Sequence, residues 1–234
     1  MRTTFLLATV CLCTACSSPP IQRSDGSVSQ RGFTLKELAK SDIDNVVEMH
    51  QQAAIASLKT LTLKLYRRNP QEWRKSGFTS AEEAVKALYK PLSHWDLAAK
   101  PDWQTSLLDA WREDFTGDRV QSLMQGLLTM HMAAYSHRTE FYYLSEVDAQ
   151  KLYNSARNLE AVVWKLSNAK RANGELFLLT NGFDAQGVAN LSFEREFGKL
   201  IGIQDTLAKI IEDKTNRAIR FGVVNVATML FLPI

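Results

Sequence analysis

Residues 41–65, SDIDNVVEMHQQAAIASLKTLTLKL, decide the fold class. Wound at 3.6 residues per turn, Ile43, Val46, Val47, His50, Ala54, Leu58, Leu61 and Leu65 fall on one face, and Asp44, Glu48 and Gln52 on another. Ser41 with Asp44 three places on is a capping box in which Asp replaces the usual Glu, so the helix starts there. It runs for about 25 residues and stops near Asn69-Pro70, because the residue before a proline is pushed out of helical geometry.

The same period recurs along the chain. Ser80 with Glu83 is a second capping box, opening a helix over 81–89 that Pro91 stops. A third helix is predicted over 102–115, with Trp103, Leu107 and Trp111 in one row and Gly117 as the break. Asp118 caps a fourth, whose inner face carries Val120, Met124, Leu127, His131 and Ala134. Ser145 and Asp148 open a fifth, with Leu152, Tyr153, Ala156, Leu159, Val163 and Leu166 inside and Gly174 as its stop. A final helix starts at Ser192 and reaches 228, with Phe197, Leu200, Ile201, Ala208, Ile211 and Ala218 inward. Between the last two, residues 175–192 combine a short apolar run with Asn181-Gly182 and Gly187, which suits a short hairpin and an irregular loop equally. Gly198 and Gly202, four apart, predict a close approach of that helix to a neighbour. The reading is an all-α bundle of five to seven helices forming a single domain over 33–234.

The N-terminus reads MRTTFLLATVCLCTAC, with Arg2 ahead of an apolar stretch from Phe5 to Leu12 and small residues Thr14 and Ala15 before Cys16. This has the layout of a secretory signal and is too short to span a bilayer, which takes about 20 residues. The stretch Cys13-Thr14-Ala15-Cys16 resembles a bacterial lipobox, with Leu12 one place early and Cys13 where that signal usually has Leu. The resemblance implies removal of residues 1–15 and acylation of Cys16. Ser17 resembles the outer-membrane sorting rule of Gram-negative lipoproteins, implying an outer-membrane anchor facing the periplasm. Residues 16–32 then hold the lipidated cysteine and a Ser/Gly/Pro-rich tether.

All three cysteines lie at or before Cys16, which excludes a disulfide framework or a cysteine metal site in the body. A net charge of +3 does not call for nucleic acid, and 45% hydrophobic with 23% charged residues suits a folded domain. There is no G-x-S-x-G, H-E-x-x-H, phosphate loop or dinucleotide fingerprint. No metal or cofactor is expected.

Three groups remain as site candidates. His50 and His131 lie on the apolar faces of two helices, either as core histidines or as a buried polar pair or metal site at the bundle centre, aided by Glu48 or another carboxylate. His137 and Glu140, three apart, would share a helix face and offer a general base with a carboxylate. Trp73, Arg74 and Trp95 belong to a tryptophan-rich stretch that could present a ligand surface. The terminal GVVNVATMLFLPI, 222–234, carries no charge and reads as core or as a surface for membrane or partner. Together these imply a non-enzymatic cell-envelope lipoprotein, held to the membrane by its lipid, which binds a partner protein or another envelope component. An envelope hydrolase with a histidine base, or a carrier of lipids or hydrophobes, are the alternatives.

Overall fold

Ser41 opens α1 (Asp42–Arg68) with both halves of the capping box: its hydroxyl accepts from the Asp44 N–H, and the Asp44 carboxylate accepts from the Ser41 N–H at 2.7 Å. The computed structural model describes residues 21–22, 28–29, 41–90, 102–142, 147–183, 186–220, 222 and 231–234. Among them follow α2 (Pro70–Lys75), α3 (Ala81–Leu88), α4 (Trp103–Asp109), α5 (Arg119–Ala134), α6 (Ala149–Asn168) and α7 (Ser192–Thr215). Short antiparallel ribbons pair β1 (Ile21–Gln22) with β2 (Val28–Ser29), and β3 (Gly182–Phe183) with β4 (Ala189–Asn190). The chain is therefore an all-α bundle with a short hairpin at 182–190. Within the stretch read as a tether, the β1–β2 pair adds one local ribbon.

The long helices α1, α5, α6 and α7 form a ring, each touching the next, with α4 laid along α5 and α3 against α1. Their sense alternates. The start of α1, the end of α5, the start of α6 and the end of α7 surround one cavity, lined in part by Asp44, Ser136, Asp148 and Thr215. The opposite end carries α2 and the β3–β4 hairpin. Each helix buries one apolar stripe, and the core these stripes form has two parts. The larger holds Leu58, Leu61, Leu123, Leu127, Leu159 and Phe197. The smaller, toward the start of α1, holds Val47, Tyr135, Leu152, Leu207 and Ile211. Each such side chain contributes roughly 1.5–3 kcal/mol by leaving water.

Several boundaries differ from the sequence expectation. The third helix ends at Asp109, because the backbone carbonyls of Ala110, Arg112 and Phe115 turn to the Arg119 guanidinium instead of continuing a helical ladder. The last helix ends at Thr215, where Asn216 takes the left-handed conformation (φ 53°) that terminates helices. The fifth ends at Asn168, and Gly174 (φ 85°) instead makes the turn that brings the Arg171 N–H to the Glu175 carbonyl at 2.7 Å. At the second capping box Ser80 caps the Glu83 N–H, but the Glu83 carboxylate reaches past it to the Thr79 N–H and hydroxyl. Cys16, Trp95, Ser145 and residues 223–230 lie outside the described residues.

The glycine expectation is reversed. A Cβ on Gly198 or Gly202 would meet nothing within 4 Å, so that pair faces open space. The close approach is at Gly126 on α5, where a Cβ would come within 2.8 Å of Leu107 Cγ and 3.0 Å of the Leu107 backbone N on α4. Gly126→Ala is therefore expected to destabilise the fold by about 1–3 kcal/mol in urea titration. Gly198→Ala and Gly202→Ala should each stabilise it by about 0.5–1 kcal/mol.

Candidate functional site

Between the two apolar clusters lies a polar layer with side chains from all four ring helices. Gln204 of α7 donates from Nε2 to His131 Nδ1 of α5 at 2.9 Å and to Ser155 Oγ of α6 at 3.3 Å. Its Oε1 accepts from the Tyr135 hydroxyl at 3.1 Å. Gln51 of α1, also buried, donates to the Arg138 carbonyl at 2.7 Å and so ties α1 to the turn after α5. With Nδ1 accepting, the His131 proton sits on Nε2, which faces the Gln51 backbone without a hydrogen bond of regular geometry. Burial pushes His131 down to about 4, with the Gln51 backbone pulling weakly the other way.

The geometry separates the histidines. His131 is sealed in the core as a neutral ring, out of reach of any substrate in solution. His50 does not join it; its Nδ1 pairs with the Val46 carbonyl one turn back, at 2.8 Å. His137 and Glu140 share no helix face, because α5 has ended: His137 lies in a left-handed turn (φ 56°), its N–H bonded to the Met132 carbonyl, and exposed Glu140 accepts from the Tyr142 hydroxyl. Among the described residues no group of three or more His, Cys, Asp or Glu gathers as a metal site, and no helix is long and apolar enough to cross a membrane. Trp73 packs half-buried on the core and its ring face is taken by the Arg74 guanidinium, 4.8 Å away. Trp103 is buried edge-on to Phe231 at 5.4 Å.

A second polar cluster, invisible in the sequence, sits at the α2 end. The Arg119 side chain is fully buried and donates to the carbonyls of Arg112 at 2.7 Å, Phe115 at 2.8 Å and Ala110 at 3.0 Å. The rings of Phe177 and Phe115 lie 5.0 and 5.7 Å from the guanidinium. Buried Glu72 accepts from the Arg119 N–H at 2.7 Å and pairs with Lys75. Asp118 caps α5 and accepts from the Tyr66 hydroxyl at 2.9 Å; burial raises its carboxyl pKa against those hydrogen bonds. The cluster is a clasp, holding the α4–α5 connection closed.

The same end carries the exposed apolar surface. Phe183 is 77% exposed, Val188 63%, Leu191 60% and Leu179 47%, all on or flanking the β3–β4 hairpin. The root of the hairpin is nonetheless fixed. The buried Asn69 carboxamide bonds both the N–H and the carbonyl of Leu179, at 2.8 and 2.9 Å, and Asn181 donates to Glu194. A groove of about 560 Å³ lies alongside, lined by Asn69, Gln71, Arg171, Phe177 and Leu179.

The uncharged C-terminal stretch docks where it is described. Asn158 donates to the Leu232 carbonyl at 2.9 Å and accepts its N–H at 2.8 Å, Asn154 donates to the Pro233 carbonyl, and Phe231 is buried. That places 231–234 in the body of the domain.

Two outcomes test these clusters. Arg119→Met should cost about 3 kcal/mol or more in urea unfolding, since several carbonyls lose their donor. For His131, the folded state holds the pKa below its unfolded value of 6.5, so the unfolded chain binds more protons between the two. Stability is fully present above pH 6.5 and falls by roughly 3 kcal/mol as pH drops toward 4. In His131→Asn this acid loss should vanish, so its stability gap to the wild type narrows from pH 7 to pH 4. No protein-family model, curated protein or solved structure matches the chain.

Proposed function

We propose that this chain is a non-enzymatic envelope lipoprotein, anchored by acyl chains on Cys16 and working through contacts of its helical body with another envelope component. The observation that carries the reading is the N-terminal sequence: an apolar stretch behind Arg2, small residues before Cys16, no thiol after it, and Ser/Pro-rich sequence before the bundle. Stable anchoring takes two or more acyl chains, and a mature lipoprotein carries three. Ser17 favours the outer membrane, with the body in the periplasm.

The geometry favours binding over the alternatives. A general base must reach the proton it takes; His131 is sealed, His50 is bonded to its own helix, and His137 lies in a left-handed turn and not on a helix face with Glu140. A hydrophobe carrier needs an apolar cavity. The cavity of about 550 Å³ at the start of α1 is instead edged by Asp44, Asp148, Lys214 and Arg217. The exposed hairpin residues are a surface of the kind that marks a binding site.

Intact-mass analysis of the membrane-extracted protein should show residues 1–15 removed and acyl chains on the new first residue. A Cys16→Ala chain should take up no labelled fatty acid and keep residues 1–15. A wild-type chain recovered uncut and unacylated would overturn the proposal.

A further inference from the structure

From the two asparagines that precede a glycine we infer that the hairpin end of the bundle modifies itself. Asn173-Gly174 and Asn181-Gly182 lose ammonia to become aspartyl or isoaspartyl pairs, and the carboxylate made at 181 faces Glu194 and frees the root of the β3–β4 hairpin. The inference goes beyond the envelope reading and does not depend on it.

The chemistry follows from the residue pair. Asparagine is a thermally labile side chain, and glycine brings no side chain of its own to shield its nitrogen from the asparagine Cγ. The glycine nitrogen gives its proton to hydroxide and attacks Cγ. The new C–N bond closes a five-membered succinimide, the Cγ–Nδ2 bond breaks, and Nδ2 leaves as ammonia with a proton from water. Water then opens the ring at either carbonyl. One opening gives aspartate. The other gives isoaspartate, whose main chain runs through Cβ and Cγ and is one methylene longer. Water enters and ammonia leaves, so the step needs no oxidant or reductant.

The consequence follows from the structure. Each of the two carboxamides holds a glutamate: Asn173 Nδ2 donates to Glu175 Oε2 at 3.0 Å, and Asn181 Nδ2 donates to Glu194 Oε1 at 3.0 Å. Loss of ammonia removes the donor and sets a carboxylate against a carboxylate. At 173 the effect stays within an exposed turn, whose backbone bonds from Arg171 to Glu175 and from Gly174 to Arg171 remain. At 181 it breaks a contact between the hairpin root and the first turn of α7. Burial does little to hold the ribbon: it is two residue pairs long, and Phe183 and Val188 are exposed. Asn181 Oδ1 is buried without a hydrogen bond among the described residues, so attack on Cγ breaks no contact of that oxygen. The Arg68 guanidinium lies in the space that a side chain at 182 would take, so glycine suits the position.

The test holds the full-length protein in detergent, folded, near pH 7 and near pH 9, and in parallel unfolded in guanidinium chloride. Peptide mass analysis then follows the exchange of one NH for one O, and an isoaspartyl methyltransferase labels the isoaspartate. The expected result is conversion at 173 and 181, faster at the higher pH, with the folded rate at 181 within about tenfold of the unfolded one. Asn154 and Asn158, which no glycine follows, should keep their amides. A folded chain that keeps the Asn181 amide while the unfolded chain loses it overturns the inference. Hydrogen exchange reads the release of the root. Asn181→Asp, made directly, should exchange the amides of 182–183 and 189–190 severalfold faster than the wild type, with an unchanged circular dichroism spectrum. Adding Glu194→Gln should restore the wild-type rate, because a carboxamide at 194 then donates to the carboxylate at 181. Wild-type exchange in Asn181→Asp, or a double variant that stays fast, overturns the release.

Discussion

Gln204 places a carboxamide, two donors and an acceptor, in the middle of an apolar bundle with no access to water. An unsatisfied group there would cost about 1–3 kcal/mol, so its partners must arrive in register. They come from different helices: His131 and Tyr135 from α5, Ser155 from α6. Sliding any of the three helices by one turn moves a methyl or a ring into the place of a polar partner. Apolar contacts among leucines tolerate such slips far better, so the layer fixes which arrangement of the four stripes is native. It also explains why the core falls into two clusters, one on each side of the layer. The histidine that looked most like a functional group is consumed by this role. It must stay neutral to accept from Gln204, and a neutral sealed ring has no chemistry to offer a substrate.

Carboxamides solve a related problem where irregular segments pack on the bundle. Asn69 and Asn158 each bond the N–H and the carbonyl of one residue in a passing non-helical segment, Leu179 in one case and Leu232 in the other. Each acts as one rung of a β-ladder supplied by a helix. The backbone of an irregular segment packed on a bundle would otherwise lose water without gaining partners. These two clamps decide where the irregular segments lie: one pins Leu232 on α6, the other pins Leu179, just ahead of the hairpin, at the end of α1.

Period 3.6 made the helices legible, and Asp118 and Asp148 marked their starts where the chain turns. What the period could not separate was a polar residue on an apolar stripe from a polar residue beside it. Gln51 follows Val47 by four, and Gln204 follows Leu200 by four and precedes Ala208 by four; that placement was the available signal for the buried layer. Arg119 gave no such signal. Its partners are carbonyls, which every residue has, and the loop that supplies them has no side-chain pattern of its own. For the same reason α4 stops six residues earlier than its tryptophan row suggests. The Gly198/Gly202 spacing misled because spacing shows which residues share a face and not what that face meets, while Gly126, standing alone, is where two helices close. The surroundings of the histidines were set by where the helix stops: α5 ends between His131 and His137, which sends one inward and the other into a turn.

The two ends of the bundle differ in what they offer. At the start of α1 the opening carries carboxylates and cations together, which satisfy one another or water. At the other end Phe183, Val188 and Leu191 stand exposed on and beside the hairpin. Folding does not account for them, since Phe183 at 77% exposure contributes little burial. Single exposed apolar residues are ordinary on protein surfaces, but several on and beside one two-residue ribbon leave an uncommon amount of apolar side chain in water. Water solvates these side chains poorly, so the ribbon keeps its place through the polar contacts at its root, the Asn69 carboxamide on Leu179 and Asn181 on Glu194, and not through burial of its own apolar groups.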